Sequence, residues 1–379
     1  MTNAILHIGT SKTGTSFLQR TLAASRDALA ETGIVYPKFG TRKDHTKLSL
    51  AFNNRHSQRH KIFNISVGEK SRQWLTDTLN EQLSGEAAQG RTGNETWLFS
   101  TENASRLQDT DAAALIEFMR EFFDEITIVV YLRRREFLLA SRYSQRRKAG
   151  RGSDFTWADL IDILVREDPA ALVTRWRDGG GSNHLIVRPY LEAFKETPED
   201  LLADFCESTG VTQSILTVSG GGPALRNTSL SAEGVEFLRD LNDLMPPETT
   251  NGKQNIRLRR LVLKRVTSAT AGAPLTTPPD VLESARRQFL QSDQAVTGLL
   301  DNTAEWQSWL SQSVKSRDSV IQPAMTAQRS VELLLALSKP EGPVDFTSPD
   351  WRPKKPPPPP TTSQRIQQKI FRTFRRGRA

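Results

Sequence analysis

Residues 126–132 (ITIVVYL) are the most strongly β-branched run in the chain, and they constrain its fold more than any other segment. A strand without polar alternation must be covered on both faces, which is typical of the centre of a parallel sheet. Four further apolar runs, at residues 4–9, 34–37, 97–100 and 184–187, alternate with segments of helical periodicity. The pattern predicts the α/β fold class, with a parallel β-sheet flanked by helices.

The chain changes character after its first 230 residues. From there the apolar spacing is nearly all helical, and a later segment, residues 339–360, ends in five consecutive prolines. We therefore expect three parts. Residues 1–229 form an α/β core, residues 230–338 a helical C-terminal portion packed on that core, and residues 339–379 a Pro-rich linker with a basic amphipathic tail.

The positive charge of the chain is concentrated in its last residues. The formal net charge is +8, yet residues 351–379 contain nine basic residues and no acid, so the body is close to neutral and no nucleic-acid partner is expected. The single cysteine, Cys206, excludes an internal disulfide framework. The first residues lack a basic n-region and a long apolar run, and no 18-residue apolar stretch occurs. These features predict a cytoplasmic protein without a transmembrane span.

Residues 7–16 (HIGTSKTGTS) lie between the first predicted strand and the first predicted helix. Backbone N–H groups and the helix dipole favour an anion at this position. Gly9 and Gly14 have the spacing of a Walker A loop, but Thr15 stands where that loop requires lysine, and the lysine is Lys12 instead. No magnesium-binding Asp is evident after another strand, so metal-assisted hydrolysis of a nucleoside triphosphate is not expected.

The loop resembles a known phosphosulfate site. Its segment Lys12, Thr13, Gly14, Thr15 and Ser16 is similar to the 5'-phosphosulfate loop of sulfotransferases that use 3'-phosphoadenosine 5'-phosphosulfate (PAPS), above all bacterial members and carbohydrate sulfotransferases. The resemblance extends over roughly residues 4–240 and implies a fold like that of P-loop NTPases, with PAPS as co-substrate and no metal. It implies that the lysine contacts the bridging oxygen and the leaving phosphate, while loop amides and hydroxyls hold the phosphosulfate.

A second segment matches the same family. Arg133 follows the 126–132 strand, and Ser141 lies eight residues later, an arrangement that resembles the family's 3'-phosphate site. The planar fork of arginine suits a phosphate that is held rather than transferred. Arg134 and Arg142 have the same spacing, so the register is open by one residue, although the position in the family favours Arg133.

Transfer to a hydroxyl requires a base that removes its proton. Glu102 follows the 97–100 strand, at the carboxyl end of the predicted sheet, where open α/β sheets bind ligands, and it is our first candidate. His45, in a polar segment, is the alternative because histidine has a suitable pKa. His7 lies within the first strand and is expected to be a core histidine.

The sequence thus predicts a PAPS-dependent sulfotransferase that acts on a hydroxyl or amine, with a carbohydrate or glycolipid as the preferred acceptor by analogy. Two alternatives stay open: a non-catalytic scaffold that binds nucleotide or membrane, and an atypical P-loop nucleotide kinase. In the tail, Ile366, Ile370 and Phe374 recur every four residues among arginines and lysines. This pattern predicts a short amphipathic helix that binds an anionic membrane surface at the inner face of the membrane, with a disordered tail as the alternative.

Overall fold

The computed structural model describes most of the first 312 residues. The described ranges are 2–39, 43–55, 68–88, 95–179, 184–218, 230–244, 256–270, 273–300 and 304–312. All of them lie in one compact unit, residues 1–325. The predicted domain boundaries after residues 229 and 338, together with the proline-rich linker and the basic tail, fall outside the described residues.

Five parallel strands form one sheet in the order β2-β3-β1-β4-β5. Each strand overlaps one of the five predicted apolar runs, and the predicted α/β fold class is confirmed. The strands are β1 (Asn3–His7), β2 (Ile34–Val35), β3 (Thr96–Ser100), β4 (Glu125–Leu132) and β5 (His184–Pro189).

Helices follow the strands and cover the sheet. Two helices, Thr15–Ala24 and Arg26–Glu31, follow β1 and are separated at Ser25. The Ser25 hydroxyl donates to the Thr21 carbonyl at 2.9 Å, a side-chain bond that competes with helix continuation. The helices are α1 (Thr15–Ala24), α2 (Arg26–Glu31), α3 (Thr46–Leu50), α4 (Glu69–Ala88), α5 (Asp109–Arg120), α6 (Leu139–Lys148), α7 (Trp157–Arg166), α8 (Pro169–Thr174), α9 (Pro198–Thr209), α10 (Ala232–Leu244), α11 (Ile256–Ala269), α12 (Pro279–Leu299) and α13 (Ala304–Ser311).

Apolar side chains pack on both faces of the sheet. In β4, Ile128 and Val130 belong to the core on one face, whereas Val129 and Tyr131 belong to the core on the other. This arrangement explains why the strand shows no polar alternation, since helices exclude water from both sides. Within the described ranges, no helix combines the length and apolar character needed to cross a membrane.

The carboxyl end of β1 lies at the centre of the sheet edge. His7 at the end of β1 pairs in register with Ser100 at the end of β3 on one side and with Val129 of β4 on the other. The chain runs to β2 and β3 on one side of β1 and then to β4 and β5 on the other, so the strand order reverses at β1. In open α/β sheets this point of reversal is where ligands bind.

The C-terminal helices are anchored near the same edge. Helix α12 packs against α7 and α8, and its Asp293 forms a buried ion pair of 2.8 Å with Arg135, just after β4. Trp309 of α13 donates from its indole nitrogen to the carbonyl of Leu132, the last residue of β4, at 3.0 Å. These contacts stabilise the segment that leaves β4, which also carries Arg133.

Candidate active site

The loop between β1 and α1 is fastened to the neighbouring strand β4. The Tyr131 amide donates to the Gly9 carbonyl at 2.7 Å, and the Thr10 amide donates to the Tyr131 carbonyl at 3.1 Å. Among the described residues, the amides of residues 11–14 donate to no backbone carbonyl. The loop therefore presents N–H groups at the start of a helix, which is the arrangement that binds phosphate and sulfate groups.

Two loop hydroxyls brace the loop from within. Thr13 and Thr15 both donate to the carbonyl of Thr10, at 2.7 and 3.2 Å, and both side chains are buried. Ser16, in contrast, is exposed in the first turn of α1. The resemblance assigned all of these residues to the phosphosulfate, whereas this structure gives two of the three hydroxyls a part in shaping the loop.

Left-handed backbone gives the loop its curvature. Gly9, Lys12 and Gly14 have φ angles of 96°, 69° and 71°. A Cβ on Gly9 would lie 3.1 Å from Cα and Cβ of Glu102, and a Cβ on Gly14 would lie 2.2 Å from Cδ2 of Leu201. Both glycines are thus required by close approach as well as by conformation. The contact at Gly9 also places the candidate base directly beside the loop.

Lys12 lies in a cluster of positive charges. Burial lowers its pKa from the ordinary value of 10.5, and the neighbouring Lys148, Arg133 and Arg142 lower it further, while Glu102 opposes the shift. Like charges held together in a partly buried site repel one another unless an anion lies between them. The cluster is suited to a ligand with more than one negative charge.

Arg133 joins the two predicted phosphate sites. Its Nη1 donates to the carbonyl of Lys12 at 2.9 Å, although the two residues are 121 positions apart. The rest of its fork contacts Glu192, with Nε–Oε1 and Nη2–Oε2 distances of 2.5 and 2.9 Å. A guanidinium fork can pair with a carboxylate or a phosphate, and in this structure Glu192 occupies the fork of Arg133.

The sequence left open whether Arg133 or Arg134 belongs to the candidate 3'-phosphate site, and the two arginines have different partners. Arg134 donates to the carbonyls of Leu310 and Gln312 at the end of α13 and pairs with Glu136. It therefore holds the C-terminal helices, whereas Arg133 contacts the loop. Ser141 lies on α6, where its hydroxyl donates to the Leu138 carbonyl at 3.0 Å; among the described contacts, none joins it to Arg133.

The two candidate bases have very different surroundings. Glu102 is half-buried next to the loop, within electrostatic range of Lys12. His45 is buried: its Nδ1 accepts from the Ser100 amide and its Nε2 donates to the Pro37 carbonyl, both at 2.9 Å. With both ring nitrogens engaged, His45 has no atom available to receive a substrate proton.

Burial also keeps the two histidines neutral. It lowers the pKa of His45 to about 4 and that of His7 to about 4. His7 packs against Tyr131 and Phe205, and its Nδ1 lies 2.9 Å from the Ser100 hydroxyl. Both side chains therefore support the end of β3 from within the core.

A cavity of about 370 Å³ opens beside the loop. Thr10, Ser11 and Arg133 form one part of its wall. Further parts come from Arg55, from the segment after β3, from the residues that follow β4 up to Arg142 on α6, and from the junction of α7 and α8. Its cationic lining was missed by sequence reasoning, because the contributing arginines are dispersed along the chain and share no motif. Among the described residues, no group of three or more His, Cys, Asp or Glu side chains could hold a metal ion.

No protein-family model matches the chain, and no curated protein matches it. Two solved structures are similar. A sulfotransferase from Alicyclobacillus acidocaldarius has 14% sequence identity and a TM-score of 0.46, and the match covers 80% of this chain and 98% of that one. The sulfotransferase domain from the curacin biosynthetic pathway has 12% sequence identity and a TM-score of 0.35, and the match covers 76% of this chain and 97% of that domain.

Proposed function

We propose that the protein is a sulfotransferase that moves the sulfuryl group of PAPS to a hydroxyl or amine acceptor. The observation that carries the proposal is the hydrogen bond from Arg133 to the Lys12 carbonyl, which brings the two candidate phosphate sites together at one end of the sheet. A donor with a 5'-phosphosulfate and a 3'-phosphate needs two such sites. A kinase loop of the Walker type would need a lysine at position 15, where this chain has threonine.

The residues present fit such a donor. The left-handed loop with its unpaired amides suits the phosphosulfate, and the buried fork of Arg133 suits the 3'-phosphate. The donor supplies an activated sulfuryl group when it is bound. Its phosphate would replace Glu192 on Arg133, so a carboxylate holds the fork in place until the donor arrives.

Charge development during transfer explains the roles of Lys12 and Glu102. As the acceptor oxygen bonds to sulfur, the bond between sulfur and the 5'-phosphate oxygen breaks and its electron pair stays on the phosphate. Lys12 stabilises this growing negative charge more than it stabilises the ground state. The acceptor proton passes to the Glu102 carboxylate, which lies on the β3 side of the loop.

The acceptor we favour is a carbohydrate or glycolipid hydroxyl, on the basis of the sequence resemblance. Acceptor pockets are commonly built from connecting segments held by a rigid fold. Here the segment after β3 and the junction of α7 and α8 contribute to the wall of the cavity. Incubation with ³⁵S-labelled PAPS and separated glycan and lipid fractions identifies the fraction that acquires the label.

We expect 3'-phosphoadenosine 5'-phosphate (PAP) to stabilise the protein against heat, because both of its phosphates have a site. At about 100 times the dissociation constant, the free energy of unfolding should rise by about 2.7 kcal/mol. ATP with Mg²⁺ should stabilise the protein much less, since its phosphates form one linear chain. Thermal-shift titrations of both nucleotides measure the difference.

The matched variants are Arg133→Ala, which should lose the PAP shift, and Arg177→Ala, an exposed arginine paired with Asp178, which should keep it. Glu192→Gln should increase the PAP shift, because a neutral amide competes less strongly for the arginine fork. Equal shifts with PAP and ATP, or an unchanged PAP shift in Arg133→Ala, would show that the donor assignment is wrong.

The basic tail is proposed to tether the enzyme to a membrane, an inference from its sequence alone. Each basic residue near an anionic surface contributes about 1 kcal/mol, and the apolar positions at 366, 370 and 374 add hydrophobic contact. Deletion of residues 351–379 should therefore abolish co-sedimentation with phosphatidylserine vesicles while PAP binding persists. If the full-length and shortened proteins sediment equally at low and moderate salt, the tail is not a tether.

A further inference from the structure

The cavity beside the loop has an excess of positive charge. Among the described residues, seven arginines and two acids line it, together with uncharged polar and apolar side chains. The arginines come from both sides of the cavity and from separate elements of the fold. They are Arg55, Arg106, Arg133, Arg135, Arg142, Arg166 and Arg175, and the acids are Glu167 and Asp168.

Carboxylates neutralise four of these arginines. The pair of Arg135 with Asp293 of α12 is buried on both sides, and in the pair of Arg133 with Glu192 the arginine is buried. The pairs are Arg133–Glu192, Arg135–Asp293, Arg142–Glu167 and Arg175–Asp109.

The other three arginines have no acidic partner among the described residues. Arg55 donates to the neutral amide oxygen of Gln108 at 2.8 Å. Arg106 and Arg166 are exposed and take part in no described ion pair. The remaining acid, Asp168, accepts from the Ala170 amide at 2.8 Å and caps α8. Three uncompensated cations therefore line the cavity.

Two of these three arginines, Arg55 and Arg106, lie on the side of the cavity that is formed by the segment after β3. Arg106 follows β3, in the same turn as Glu102, whose carbonyl accepts a 2.7 Å hydrogen bond from Ser105. Arg133 follows β4, on the other side of β1. Arg55 and Arg106 thus share this side of the cavity with the candidate base, where the proposed function places the acceptor hydroxyl.

The arginines also act on one another. Arg106 lowers the pKa of Arg142 and of Arg146, after the larger effect of burial, because like charges are close together. A neutral acceptor would bury these cations further without compensating them, which is costly. An acceptor with its own negative charges would remove the repulsion and form charge-assisted hydrogen bonds with the guanidinium forks.

We propose that the acceptor is anionic and carries carboxylate or sulfate groups near the hydroxyl that is modified, with Arg55, Arg106 and Arg166 as its binding residues. The proposal rests on the proposed sulfotransferase function, since it concerns the second substrate of that same site. Arginine is suited to both groups because its planar fork matches their paired oxygens.

The test uses the full-length protein saturated with PAP and titrates it calorimetrically with a galacturonate hexamer and with the same hexamer after carboxyl reduction. We expect the acidic hexamer to bind at least tenfold more tightly than the neutral one, with an affinity that falls as salt is raised. The double variant Arg106→Gln/Arg166→Gln should lose at least tenfold in affinity for the acidic hexamer. Arg287→Gln, at an exposed arginine outside the cavity, should bind like the wild type.

The outcomes separate the two proposals. If both hexamers bind equally, if neither binds, or if the double variant binds the acidic hexamer as the wild type does, the anionic-acceptor proposal is wrong. PAP affinity is measured first in each variant and should not change. Absence of PAP binding in the wild type would instead refute the sulfotransferase proposal itself.

Discussion

Lys12→Ala should lose about 10²–10³-fold or more in the rate of sulfuryl transfer, which is the scale of losing one preorganised group that stabilises a developing anion. Lys12 is held in a left-handed conformation, and Arg133 donates to its carbonyl, so the loop presents it in a fixed place. Because its contribution grows as charge develops on the leaving phosphate, kcat should fall together with kcat/KM. Transfer of ³⁵S from labelled PAPS to the acceptor measures both.

The pH dependence of kcat and kcat/KM provides a second test of the role of Lys12. The reaction needs the charged lysine, and burial, together with nearby cations, lowers the pKa of Lys12 below its ordinary 10.5. The decline of kcat/KM with rising pH, which reports the free enzyme, should therefore begin below pH 10.5. The bound donor supplies negative charge and raises the pKa of the lysine, so the corresponding decline in kcat should occur at higher pH.

Lys70→Ala is the matched control for this variant, because Lys70 is an exposed lysine on α4. It should retain wild-type rates and the wild-type alkaline limb. Full activity in Lys12→Ala would show that transfer does not depend on Lys12 and that the role proposed for this lysine is wrong.

Glu102→Gln is expected to reduce transfer by about 100-fold or more while leaving PAP binding nearly unchanged. The amide keeps the size of the side chain against Gly9, where space is tight, but it cannot accept the acceptor's proton. The loss should therefore appear in kcat, with a normal thermal shift from PAP. A single-turnover assay with PAPS bound in advance separates the chemical step from donor binding.

His45→Ala tests the other candidate base and should behave differently. Removal of the ring leaves the buried Ser100 amide without its acceptor and opens a cavity among Tyr36, Phe39 and Phe99. Such changes cost about 2–4 kcal/mol, so the melting temperature should fall while the folded fraction retains its rate. If Glu102→Gln is active and folded His45→Ala is not, the base is His45.

The fold was predictable because each strand carries its own signal. The 126–132 run is apolar throughout because helices cover both faces of β4, and this environment follows from local sequence. The loop between β1 and α1 was predictable for a similar reason. Its lysine, glycines and threonines lie close together in the sequence, so the candidate anion-binding loop consists of neighbouring residues.

Other features depended on contacts between distant residues. His45 and Glu102 were both credible bases in the sequence, and burial of both ring nitrogens distinguishes them. Glu192 was not identified as the partner of Arg133, since the two residues are 59 positions apart and their pairing depends on how the ends of β4 and β5 are aligned. No local pattern records such an alignment.

The sequence by itself determined the class of sheet and the position of the candidate anion-binding loop between the first strand and the first helix. These are properties of short segments, where periodicity and backbone conformation depend on neighbouring residues. The tertiary structure decided which side chains line the cavity, which are occupied by internal partners, and which arginines of the cavity have no acidic partner among the described residues. Burial and charge pairing are set by residues far apart in the chain, and they exist only once the strands have been brought side by side.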